Sequence, residues 1–318
     1  MFLDLLVAAA LPIASGAGAE VQLRRLAVAP AETLAVTVAG SGRPVVMIPG
    51  LLGAAFTFRH VRASLVRAGH QVVIVEPLGT GSSSRPEDAD YSLTAQSYRI
   101  EAALDTLGVR APVLLCHSVG ASICYRLAAR RPDLAAGIVS LNGGPAERAG
   151  TPGLRSALRF APLLTLFGAE GFLRGKIADG LIESSYDPSW VTEETVRGYT
   201  APFDADLDAA LDALKRMMQA REPAALRPQL ARIRAPVHLL VGGGPPEDAV
   251  PPEEIATLRA ELPNFQMDRV PRAGQYIQEE RPAVVVDAVL ELLAAVGGDA
   301  DRAGAAPGAR AARRHRRR

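Results

Sequence analysis

Val113-Leu-Leu-Cys-His-Ser-Val-Gly-Ala121 is the stretch on which the reading of this chain turns. Four apolar residues in a row are the mark of a strand buried on both faces. The serine follows at once, and then a helical pattern over Val119–Arg130. A strand that passes straight into a helix through one serine forces that residue into a strained backbone, so its neighbours must be small. Gly120, Ala121 and Ser122 satisfy that demand. Ser118 then stands at a helix N-terminus, where unpaired N–H groups favour negative charge.

The same alternation extends in both directions. Val21–Val28 and Thr33–Ala39 read as strands, and Pro44–Ile48, Gln71–Val75, Gly137–Leu141 and Val237–Val241 as further buried strands, with another near Phe265–Val270. Helical stretches fall at about Thr57–Ala68, Leu93–Leu107, Glu253–Leu262 and Ala283–Val296. Alternating strand and helix imply an α/β fold with a mostly parallel central sheet and right-handed crossovers. Residues 145–234 break the rhythm: amphipathic pieces, Pro and Gly breaks and several aromatics, but no buried-strand run. The expected organisation is a core of residues 21–144 and 235–296, with 145–234 inserted as a helical cap.

Composition fits a globular protein: 318 residues, 48% hydrophobic, 22% charged, formal charge +1. Residues 297–318 carry net +5 and read as a disordered Arg-rich tail, which leaves the body near −4 and argues against nucleic-acid binding. Residues 1–20 leave two readings open. The apolar run Met1–Leu11 followed by Ala17-Gly-Ala19 suits a secretory leader, and a helix packed on the body suits it equally; the chain is accordingly cytoplasmic or exported. No other apolar run has the length of a membrane span. Cys116 and Cys124, eight residues apart across the strand-to-helix turn, are expected to stay unpaired, and no metal-ligand spacing or cofactor motif is found.

Taken together, the motifs make the chain similar to α/β-hydrolase-fold proteins with a helical cap, over roughly residues 21–296. The stretch at 113–121 resembles the nucleophile elbow, Gly-x-Ser-x-Gly, with Cys116 in place of the first glycine. Ile48-Pro-Gly-Leu-Leu-Gly53 resembles the oxyanion turn, which by that likeness assigns Leu51 and Val119 as backbone donors to a developing oxyanion. Glu76-Pro-Leu-Gly-Thr-Gly-Ser82 resembles the Asp-x-x-Gly-x-Gly-x-Ser segment, and Ala273-Gly-Gln-Tyr-Ile-Gln-Glu-Glu-Arg-Pro282 the segment that delivers the catalytic histidine. Here that position is Gln275. An amide does not titrate near neutrality and cannot take the proton of a serine. The acid position of the family falls on Glu247 or its neighbour Asp248.

Five histidines could in principle substitute. His117 and His238 read as buried structural residues, and His70 and His315 as solvated ones. His60, seven residues past Gly53, is the candidate to face Ser118. Glu279-Glu280 reads as a solvated cap for the last helix, Trp190 as core of the cap or substrate contact, and Tyr276 as a residue lining the pocket. Gln275 is expected within hydrogen-bond reach of Ser118, and a separation well beyond that would refute the assigned motif. The resemblance implies a serine hydrolase acting without cofactor on a small apolar ester or related acyl compound, with an incomplete triad. A ligand-binding protein that has lost turnover, and a lyase or isomerase on the same fold, are the alternatives; oligomeric state is left open.

Overall fold

In the computed structural model, residues 12–13, 20–150, 169–246 and 249–304 are described. Their centre is a nine-stranded sheet: β1 (Pro12–Ile13), β2 (Val21–Ala29), β3 (Glu32–Ala39), β4 (Pro44–Ile48), β5 (Gln71–Val75), β6 (Val113–His117), β7 (Gly137–Leu141), β8 (Val237–Gly242) and β9 (Phe265–Val270). The spatial order is β1-β2-β3-β5-β4-β6-β7-β8-β9. The first three strands run antiparallel to their neighbours, and β5 through β9 form one parallel array. The exchange of order between β4 and β5, with β6 on the far side of β4, makes the switch point at which open α/β sheets place their sites.

Side chains along each strand alternate between the two faces. Val45, Met47, Val113 and Leu115 meet α1 (Arg59–Arg67) and α9 (Pro282–Gly304) through Val61, Leu65, Val285 and Val289. Val46, Ile48, Leu114 and Cys116 share the opposite core with α2 (Leu93–Thr106) and α3 (Val119–Arg130). Ser92 caps α2 by accepting from the Ala95 N–H.

Between β7 and β8 the described residues hold three α-helices, α4 (Ala169–Glu183), α5 (Glu193–Asp204) and α6 (Leu207–Gln219), and two short 3-10 turns. They enclose a small apolar cluster of Ile177, Leu181, Tyr199, Phe203 and Ala210. Leu52, Phe56 and Tyr276 of the main body pack against it, so this segment sits beside the ends of β4 and β9. Helix α7 (Pro252–Glu261) follows β8, and the single turn α8 (Ile277–Glu280) precedes α9. No helix among the described residues is long and apolar enough to cross a membrane.

Two expectations about the ends of the chain change. Pro12–Ile13, inside the segment read as leader or helix, pair antiparallel with Val21 and Gln22; the rest of residues 1–19 lies outside the described residues. Helix α9 continues to Gly304, eight residues beyond Val296, so the tail does not begin at 297. Gly297 and Gly298 lower helix propensity but remove no hydrogen bond, whereas a proline would.

The cysteines are also corrected. Cys116 and Cys124 form a disulfide, with Cα atoms 6.7 Å apart. Separation along the sequence misleads here because the sharp turn at residue 118 folds α3 back over β6. Cys124 in the helix's second turn therefore faces the side of the strand that Cys116 presents.

Candidate active site

Ser118 adopts φ 52°, ψ −125°, a left-handed backbone that an L-residue enters at a cost of roughly 1–3 kcal/mol. Its N–H donates to the Leu141 carbonyl, and its own carbonyl accepts from Ala121, which closes the first turn of α3. The turn after β4 approaches closely. A Cβ on Gly120 would lie 2.6 Å from the Ile48 carbonyl oxygen, and one on Gly50 would lie 3.3 Å from Ser118 Cβ. At Gly120 only glycine lets these two segments meet; Leu51 directly follows Gly50 and Val119 directly precedes Gly120.

Glu76 holds that turn in place, a role the sequence motif does not disclose. Its buried carboxylate accepts from the Ala55 N–H at 2.7 Å and from the Ser82 N–H at 2.6 Å, tying the Gly-rich loop to the turn after β4. Burial raises its pKa, and the two N–H donors and the nearby Arg85 and Arg25 oppose the rise. Beside Leu51 lies a cavity of about 20 Å³, bordered also by Leu52, Thr80, Arg85 and Phe203. That is room for about one water molecule.

On the other side of Ser118, the backbone of residue 275 is fixed from several directions. His117 Nε2 donates to the Gln275 carbonyl at 3.0 Å, and Asn142 Nδ2 donates to the same oxygen at 3.1 Å and to Gly274 O at 2.9 Å. The Gln275 N–H donates to Ser184 O. Asn142 completes its role by accepting from the Gly242 N–H, so one side chain joins the ends of β7 and β8 to the 273–275 loop. The Gln275 amide itself makes no hydrogen bond to a described residue, Ser118 included. Glu247 and Asp248 lie outside the described residues.

The histidines sort clearly. His117 is buried; burial drives its pKa down to about 4 despite the opposing bond to the Gln275 carbonyl. With Nε2–H donating, Nδ1 is left without a partner, and the ring is committed to structure. His60 is half exposed and lies 3.8 Å from a Glu279 oxygen, so its partner is that carboxylate. His238 lies in β8 but is only partly buried, bonded to Asp268 at 2.7 Å on the neighbouring edge strand. His70 is half-buried with its Nδ1 enclosed, not solvated.

Glu279 and Glu280 are not a solvated cap. Both are buried, and Tyr186, Asp187 and Tyr199 close over them. Glu280 accepts from the N–H groups of Tyr186, Asp187 and Gly274, fastening the end of α4 to the residue before Gln275. Glu279 pairs with Arg59 and accepts from the Tyr199 hydroxyl at 3.0 Å. Tyr199 in turn lies 2.8 Å from Thr57 Oγ1, which accepts from Gln278 Nε2, giving one relay from amide to carboxylate. Burial raises the Glu279 pKa, with Arg59 pulling against it. Around this relay Tyr276 packs with His117, Trp190 and Tyr199 at ring centroids of 5.5, 5.5 and 5.8 Å. Burial and the Glu279 charge push the Tyr276 phenol up to about 12. Trp190 donates to Ser185 Oγ. Asn142 and Glu280 carried one weak sequence signal each: a polar residue ending a buried strand, and a second carboxylate just before the proline that starts α9.

An elbow serine, a glycine turn within van der Waals distance of it, and a loop from β9 brought to the same strand ends agree with what the chain matches. The model of the alpha/beta hydrolase family matches residues 45–288. The chain belongs to that family. Among curated relatives, the Bacillus subtilis (strain 168) hydrolase YugF is 25% identical over 250 residues, covering 78% of this chain and 89% of its own. The sn-1-specific diacylglycerol lipase ABHD11 of Mus musculus is 26% identical over 262 residues, 79% of this chain and 80% of its own. Among solved structures, an alpha/beta hydrolase fold protein from Burkholderia ambifaria superposes with TM-score 0.69 at 25% identity, covering 84% of this chain and 97% of that one.

Proposed function

We propose that the chain is a slow serine hydrolase acting on a small apolar ester or a related acyl compound. Ser118 Oγ attacks the carbonyl carbon, and the N–H groups of Leu51 and Val119 receive the oxyanion. Residues 145–234 act as a cap whose aromatics, Trp190 and Tyr276, supply an apolar wall to the acyl group. Glu247 or Asp248 occupies the acid position, and no cofactor is called for. The observation that carries this reading is the strained Ser118 backbone held against the Gly50 turn, an arrangement costly to keep without use. The diacylglycerol lipase name of the mouse relative supports the substrate class.

Gln275 limits the rate. With no titratable group at that position the serine proton has no ready acceptor, and the oxyanion donors and binding alone sustain about 10³–10⁴ over water. The same residue favours a second reading, a ligand-binding member of the family in which Ser118 and Gln275 serve only as polar contacts.

Turnover of p-nitrophenyl acetate and butyrate by the purified protein, beside Ser118→Ala, separates the two. A measurable rate that is lost in the alanine variant supports the hydrolase. Equal rates at the level of the buffer blank leave the binding protein.

A further inference from the structure

The two cysteines of the chain bracket the elbow: Cys116 is two residues before Ser118, at the end of β6, and Cys124 lies in the second turn of α3. Cys116 also stands where the elbow pattern has its first glycine. Both residues are fully buried, in the core between the sheet and α3. Between them lies the residue that pays for the left-handed backbone at φ 52°. On the sheet side, β6 is held by parallel pairing to β4 and β7, so it cannot shift. The first turn of α3 is held by less: Ser118 makes no side-chain capping bond, and the turn rests on the Ala121 N–H to Ser118 carbonyl bond and on Ser122 Oγ donating to the Ala146 carbonyl. Without a further tie, the strain at 118 is relieved most easily by fraying that turn.

We propose that the Cys116–Cys124 disulfide is a covalent lock on the strand–serine–helix elbow, holding the first turns of α3 against β6. The bond forms by exchange with a disulfide-bearing oxidant. One sulfur–sulfur bond is made between the two cysteines and the oxidant's own is broken. Two electrons and the two thiol protons pass to the oxidant, which leaves as two thiols. Because neither cysteine is exposed, the exchange takes place before the core closes, and the finished bond is sealed from thiols afterwards. The lock acts on backbone geometry and does not depend on Ser118 being reactive.

Two measurements decide it. Denaturing the purified protein in N-ethylmaleimide without reductant is expected to add no label, and two labels after reduction; two labels without reductant overturn the proposal. Hydrogen exchange of the peptide spanning 113–126 is then compared between wild type and Cys116→Ala/Cys124→Ala. Roughly tenfold faster exchange confined to that peptide is expected, with the β8–β9 peptides unchanged. Unchanged exchange, or equal acceleration across the whole chain, overturns it. If the double variant does not fold, wild type reduced in denaturant and refolded with a phosphine reductant makes the same comparison, and failure of that chain to refold overturns a purely local role. Absence of esterase activity in wild type bears on Ser118 alone and leaves this result standing.

Discussion

The two halves of the site, one on each side of Ser118, are built to the same standard but equipped differently. On the β4 side the frame is backbone: the Gly50 turn lies against the start of α3, and the Glu76 carboxylate ties that turn to the Gly-rich loop by accepting from the Ala55 and Ser82 N–H groups. What this half presents is backbone N–H groups that no side-chain substitution removes. On the β9 side, backbone is held as firmly, by His117, Asn142 and Glu280, and in the proposed reaction the chemistry there falls to the side chain at 275. There the chain carries glutamine. The frame on this side is maintained by His117, Asn142 and Glu280, whose bonds go to the backbone of residues 274 and 275, so it does not depend on which side chain stands at 275.

The contrast is broken most severely at Gly120. Any side chain there meets the Ile48 and Pro49 carbonyl oxygens at 2.6 and 2.7 Å, and backbone oxygens cannot turn aside. Gly120→Val is expected to lose more than about 4 kcal/mol and to accumulate as insoluble protein, read by soluble yield and urea unfolding. Glu76→Ala tests the same half more gently. It leaves the Ala55 and Ser82 N–H groups without their acceptor, for a loss of roughly 3 kcal/mol in urea unfolding. A loss below half of that would mean that the turn holds itself.

The β9 side responds to pH through His117. Its folded pKa lies near 4 against an ordinary 6.5, so the unfolded chain binds the proton more readily between those values. Stability from this residue is present above about pH 6.5 and falls as pH drops towards 4. The expected loss between pH 7 and pH 5 is about 2 kcal/mol. The raised pKa values of Glu254, near 6, and of Glu279 act in the opposite direction, so the quantity to measure is wild type minus His117→Gln. A difference that does not change between the two pH values would contradict the buried neutral ring. The smallest effect belongs to His60. Half exposed and paired with Glu279, it is expected to change p-nitrophenyl butyrate turnover by less than about twofold when replaced by alanine. A larger fall would make it the missing base.

Much of this was legible in the residues. Short continuous runs such as Val45–Ile48 and Val113–Cys116 can bury both faces only as central strands, so the parallel array followed from them. The elbow was legible because a serine flanked by small residues between strand and helix has few other uses. What escaped reading was contact across the fold. Sequence separation said that Cys116 and Cys124 could not meet, but a sharp turn shortens space without shortening sequence. Glu279 and Glu280 look like ordinary surface carboxylates until Tyr199, Tyr186 and Asp187, some 80 to 94 residues away, are folded over them. Helix α9 overran its expected end because glycines weaken a helix without stopping it.

The central proposal is that Ser118 is the nucleophile and that the glutamine at 275 is what limits turnover. The most direct test is the rate of p-nitrophenyl butyrate hydrolysis by Gln275→His, measured beside wild type and the double variant Gln275→His/Ser118→Ala. Loss of a catalytic base costs on the order of 10⁶ in turnover in a complete triad, so restoring one onto this frame is expected to gain at least about 10²-fold, and the gain should vanish with Ser118. A histidine at 275 that leaves the rate at the wild-type level would contradict the account.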